Sequence, residues 1–186
     1  MNTDREDLQF AETVTQVFAF LQEYGFHQVE ALPTLVRYRC GDLEARVFHG
    51  RRSHELGFEI GHGEDMFRMW DLIRFSDSSA AEHYFMPVVR TPSALISRLQ
   101  ELAAFVRCYG ERALRNDPTF YEDLRQQREA WMKQYWFDMR CRQVRPKAEV
   151  AFRERRYQEA AKLYGEIEAG LSPAELKKLA IARKRS

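Results

Sequence analysis

Residues 34–75 read TLVRYRCGDLEARVFHGRRSHELGFEIGHGEDMFRMWDLIRF, and the fold turns on how this stretch is read. Val36, Tyr38 and Cys40 share one parity before Gly41-Asp42, and Leu43, Ala45 and Val47 share one parity after it. A two-residue Gly-Asp loop suits a tight hairpin turn, because glycine tolerates positive φ. That turn pairs Cys40 with Leu43, Tyr38 with Ala45 and Val36 with Val47, and places both apolar sets on one face. Beyond a polar loop, Gly50 to Ser53, the alternation resumes at Leu56, Phe58 and Ile60. The opposite parity there, Glu55, Gly57 and Glu59, suits solvent or a ligand. An antiparallel sheet with one apolar face needs a cover, which the flanking helices must supply. The expected fold class is therefore α+β. A small antiparallel sheet is covered by an N-terminal helix and followed by a helical C-terminal half ending in a repeat-like hairpin.

Upstream, Phe10, Val14, Val17, Phe18 and Leu21 follow helical spacing, so a helix is expected over about 4–24. Thr3 and Glu6 give it a capping-box pattern and Gly25 a stop. A short strand at His27 to Ala31 would extend the sheet edge. Downstream, Met66 to Phe75 fits either period, and is read as a short strand turning into a helix. Ser76 to Ser79 then caps a helix over Ala80 to Phe85, which Pro87 ends.

The rest reads as helix. Thr91-Pro92 and Asp117-Pro118 are both helix openings. The first carries Leu95, Leu99, Leu102, Ala103 and Val106, and Gly110 marks its stop. The second carries Phe120, Leu124, Trp131 and Tyr135 on one face as far as Arg142. Tyr121, Trp136 and Phe137 widen that face, which implies packing on both sides. Pro146 is read as restarting the chain. Tyr157, Glu159, Ala160, Ala161 and Tyr164 then resemble the second half of a tetratricopeptide repeat, over about residues 147–172. Ile167 stands where that repeat usually has a small residue, and Arg155 where it usually has glycine. The resemblance implies a helical hairpin docked on other helices, since one repeat makes no solenoid. Ser172-Pro173-Ala174-Glu175 opens a last helix with Leu176, Leu179, Ala180 and Ala182 facing inward. Two regions are expected: 1–90 with the sheet, and 91–186 helical.

Composition excludes several classes. With 29 basic and 28 acidic residues among 186, the net charge is +1, which argues against a general polyanion binder. The sequence has no apolar run of membrane-spanning length and begins MNTDREDLQF, without a signal-like apolar region. Cys40, Cys108 and Cys141 are odd in number and form no CxxC. A cytoplasmic protein with reduced thiols, no membrane association and no cofactor is the expectation, and Cys40 and Cys108 sit on apolar stripes as buried thiols.

Chemistry centres on the same stretch. His49, His54 and His62, near Glu55, Glu59, Glu64 and Asp65, would form a metal site if they converged, although no HxH or HExxH is present. His54 with Glu55 or Glu59 could act as an acid/base pair, but no nucleophile motif accompanies them. No glycine-rich nucleotide loop occurs. The loop His49-Gly50-Arg51-Arg52-Ser53-His54 is basic and lies between two strands, ready to grip an anionic group on a partner. Arg140, Arg142, Arg145 and Lys147, extended by Arg125, Arg128 and Lys133, offer a nucleic-acid surface, diluted by interleaved acids. In size and build, a small sheet domain followed by helices resembles bacterial immunity proteins. That resemblance implies a protein partner, a toxin, neutralised by direct binding. The expected contact residues are Arg51, Arg52, His54, Glu55, Glu59 and Asp65, with a metal-dependent enzyme and a nucleic-acid-associated factor as alternatives.

Overall fold

The alternating residues pair as the parity dictates. In the computed structural model, which describes residues 9–186, strands β1 (His27–Leu32), β2 (Leu35–Cys40), β3 (Leu43–His49), β4 (Leu56–His62) and β5 (Asp65–Arg68) form one antiparallel sheet in sequential order. Cys40 stands opposite Leu43, Tyr38 opposite Ala45 and Val36 opposite Val47. Gly41 takes φ +61°, the conformation for which glycine is the least strained residue. The expected edge strand is β1, and Met66–Phe75 divides into β5 and helix α2 (Met69–Ser76, numbered after α1 below).

Helix α1 (Phe10–Val17) covers the sheet with Phe10 and Val14, and the stripe continues through Phe18 and Leu21. It is not one helix to Tyr24: the chain breaks at Phe18 and tightens into a 3₁₀ segment, Ala19–Tyr24, which ends at Gly25 in the left-handed region. The break lets Phe18 and Phe20 both reach the core. The expected cap at Thr3 and Glu6 lies outside the described residues. The cover is shared with α2, α3 (Ser78–His83), α4 (Pro92–Tyr109) and α5 (Glu111–Leu114), whose Leu72, Ile73, Leu95, Leu99, Val106 and Leu114 join one core with Val36, Val47, Phe58 and Ile60. Asp77, within the expected break, caps α3 through its side chain, and Thr91 caps α4.

The sheet's other face is a lattice of ions. Glu44 accepts from Arg46 at 2.5 Å and Arg39 at 3.2 Å, Arg37 bridges to Glu30 at 2.7 Å, and Arg46 reaches Glu59 at 3.0 Å. Burial works against the Glu44 charge, but the arginine hydrogen bonds outweigh it and hold the carboxyl below its usual range. Phe48 lies over Gly57, where a Cβ would sit 2.3 Å from its ring.

The chain forms two compact units, Met1–Gln127 and Arg128–Ser186. The sheet unit thus extends beyond residue 90 to include α4, α5 and the first turns of α6 (Pro118–Arg153), whose Phe120, Tyr121 and Leu124 are buried in its core. The second unit comprises the rest of α6, α7 (Tyr157–Glu166) and α8 (Pro173–Arg185). Its interior is Ala148, Ala151, Ala160, Tyr164, Leu179 and Ala182, beside Cys141, Val144 and Ile167.

Four sequence expectations fail here. Pro146 does not end the helix: α6 runs through it, because Arg145 is tied to Glu175 at 2.8 Å and to the Gly170 carbonyl at 2.7 Å while Val144 and Ala148 are buried. The α6 aromatics are not all packed: Phe120 and Tyr121 are buried in the core of the sheet unit and Phe137 packs against Cys141, Val144 and Ile167, whereas Tyr135 and Trp136 are exposed. Leu176 and Ala180 face solvent, leaving Leu179 and Ala182 to anchor α8. Cys108 is exposed and Cys40 half-buried. The α6–α7 turn places Arg155 at φ +60°, a conformation that glycine adopts with less strain. Ser172 and Glu175 form the expected capping box.

Candidate functional site

The β3–β4 loop is held by a mesh of backbone bonds. Gly50 N–H donates to Glu55 O at 2.7 Å and His54 N–H to Gly50 O at 3.0 Å. A later segment, Tyr84 to Arg90, then runs back along β4. Leu56 N–H donates to Pro87 O at 2.9 Å and Val89 N–H to His54 O at 2.8 Å, around a bridge between Glu55 and Val88. His49 completes the mesh: its ring is buried and Nε2–H donates to Val89 O at 2.9 Å. That bond fixes a proton on Nε2. His54 adopts φ +56°, with its ring 5.6 Å from that of His49.

This bracing presents a defined surface. Arg51, Arg52 and Arg90 are exposed and have no ion-pair partner among the described residues. On the segment paired with the base of this loop, Phe85 is 79% exposed and Val88 56% exposed. Elsewhere in this unit the arginines of the sheet lattice and Arg98, Arg112, Arg115 and Arg125 all have carboxylate partners. The loop arginines therefore keep their charge available for an outside group.

The other expected contact residues lie elsewhere. Glu55 is at the base of the loop, on the bridge to Val88. Glu59 belongs to the ion lattice through Arg46. Asp65 opens β5, opposite His62, and is bound to Arg125 at 2.6 Å. So Arg51, Arg52, His54 and Glu55 come together, while Glu59 and Asp65 are engaged within the fold.

The three histidines do not converge. His62 pairs with Leu43 at the opposite end of β4 from Leu56, and its Nε2 is 2.9 Å from Asn116 Oδ1. At a strand rise of about 3.3 Å per residue, the two ends of β4 are about 20 Å apart. Among the described residues no three His, Cys, Asp or Glu side chains gather into a metal-holding group. The basic cluster of the second unit is half compensated: Arg140 pairs with Glu166 and Arg145 with Glu175, leaving Arg142 and Lys147 at the surface. Among the described residues no helix is long and apolar enough to cross a membrane.

Phe85, Val88 and Arg90 join the candidate site from outside the stretch that the sequence singles out. A signal was present. Pro87 biases Met86 to an extended backbone, so Met86-Pro87-Val88-Val89 is a short extended run after a helix stop. What the sequence lacks is the register that brings this run beside Glu55, 33 positions earlier in the chain. Comparison with known protein families, characterised proteins and solved structures gives no match.

Proposed function

We propose that this chain is a protein-binding module, which acts by docking on another protein in the manner of an immunity protein that neutralises a toxin. The observation that carries the reading is the braced β3–β4 loop, with Arg51, Arg52 and Arg90 uncompensated beside exposed Phe85 and Val88. Aromatic and arginine side chains are the residue types enriched among binding hot spots. A backbone already fixed by five hydrogen bonds loses little freedom on docking. The basic rim selects a partner whose complementary surface is acidic and speeds its association. On an enzyme partner, such docking inhibits by covering or distorting the active site.

The test is capture of a stoichiometric partner from the native source, followed by affinity measurement with the Arg51→Glu/Arg52→Glu variant. Both side chains are exposed and unpaired, so the variant folds as the parent does. Weakened affinity and a reduced salt dependence support the reading. An unchanged affinity removes the loop from the contact.

A further inference from the structure

The cavity next to this loop contains an unfilled place in the sheet. It has a volume of about 460 Å³ and is lined by Gly57, Phe58, Met69, Trp70, Tyr84 and Phe85, with Glu55 and Arg68 also on its wall. On this edge of β4, pairing with β5 stops at Glu59–Arg68, and the bridge to the later segment lies at Glu55–Val88. No residue of either pairing stands opposite Gly57. The direction of the backbone groups follows from alternation. Leu56 N–H points to this edge, since it donates to Pro87 O, whereas Glu55 O points the other way, to Gly50 N–H. Leu56 C=O and Phe58 N–H therefore point to the open edge on either side of Gly57. They form the acceptor and donor that an added antiparallel strand requires.

Resting on the protein-binding reading, we infer that this gap receives a short extended segment of the partner, which pairs with β4 at Gly57 and places one large apolar side chain in the cavity. Three features fit one occupant. The free edge is about three residues long, so it accepts a short stretch of strand rather than a whole one. The walls are aromatic and thioether side chains, Trp70, Phe85, Met69 and Met86, which suit a flat or branched apolar group. The wall charges, Glu55 and Asp71 against Arg68, are of both signs, so an uncharged side chain is favoured over an ionic one. The rim arginines would then hold acidic residues flanking the inserted segment.

The experiment uses the full chain and three capped tripeptides, acetyl-Ala-Phe-Ala-amide, its Ser analogue, and the Phe peptide with N-methylated backbone amides, titrated to millimolar concentration. The readout is the Phe58 amide and Trp70 indole resonances. The expected result is saturable shifts of both with the Phe peptide, at least fivefold weaker binding of the Ser and N-methyl peptides, and a similar loss for the Phe peptide in Phe85→Ala, whose exposed ring leaves folding intact. Arg51→Glu/Arg52→Glu is expected to bind the uncharged tripeptide as the parent does. Equal binding of Phe and Ser peptides, unchanged binding of the N-methyl peptide, or no shift at Phe58 overturns the inference. If the tripeptides fail while partner affinity still depends on Arg51 and Arg52, this inference falls and the protein-binding reading stands. If tripeptides bind while partner affinity ignores those arginines, the cavity is a peptide site and the basic loop is not its rim.

Discussion

Replacing Glu44 by Gln tests whether the ion lattice on the open sheet face is a structural cover or a reserved binding surface. Glu44 is only 8% exposed and accepts from Arg46 at 2.5 Å and from Arg39 at 3.2 Å. A charged hydrogen bond contributes roughly 1.5–3 kcal/mol, and the two arginines are partly in solvent, which pulls each towards the low end. Loss of the carboxylate should cost about 2 kcal/mol, a fall in Tm of about 6 °C for a unit of this size. The sign with pH follows from the depressed carboxyl. A group whose pKa is lower folded than unfolded stabilises the fold above its unfolded value, about 4.3 for glutamate, and loses that contribution as acid protonates the folded carboxyl. The gap between parent and Glu44→Gln should therefore be full at neutral pH and close progressively in acid below about pH 4. Thermal unfolding followed by circular dichroism at neutral and acid pH reads both. Equal Tm at neutral pH, or a gap that persists in strong acid, would refute the reasoning and leave the lattice free for another role.

Other consequences are as direct. Gly61→Ala would place a Cβ 2.0 Å from the Asp65 carbonyl, so the β4–β5 pairing must shift; a loss of about 3 kcal/mol is expected, with hydrogen exchange accelerated first in β5. Arg155→Gly relieves a left-handed residue in the α6–α7 turn and should stabilise the second unit by about 1 kcal/mol, read as a raised denaturation midpoint; an unchanged or lowered midpoint would contradict it. Burial raises the Tyr84 hydroxyl pKa to about 12, so its phenolate absorbance should develop only well above pH 10, and a Tyr84→Phe difference spectrum showing ionisation near pH 10 would count against it.

The sheet was legible because its signals are local. The parity of Val36, Tyr38, Ala45 and Val47 and the glycine at the turn leave one register in which all apolar side chains share a face. The caps at Thr91, Asp117 and Ser172 were legible for the same reason: each depends on a residue three positions away. The site was legible by half. The basic loop could be seen, but not the segment that braces it, because the Glu55–Val88 bridge depends on where α2 and α3 return the chain. Pro146 misled because a proline's local cost was weighed without the tertiary bonds of Arg145 on its N-terminal side. The exposure of Trp136 has the opposite lesson: an aromatic at helical spacing indicates a face, not what covers it.

The most direct test of the central claim is the affinity and association rate of the captured partner for the parent and for Arg51→Glu/Arg52→Glu, each at low and high salt. If the uncompensated arginines of the braced loop meet an acidic surface, charge reversal should weaken binding at least tenfold at low salt, chiefly through slower association, and high salt should narrow the difference. Equal affinities and equal rates at both salt concentrations would contradict the account and move the binding surface away from the β3–β4 loop.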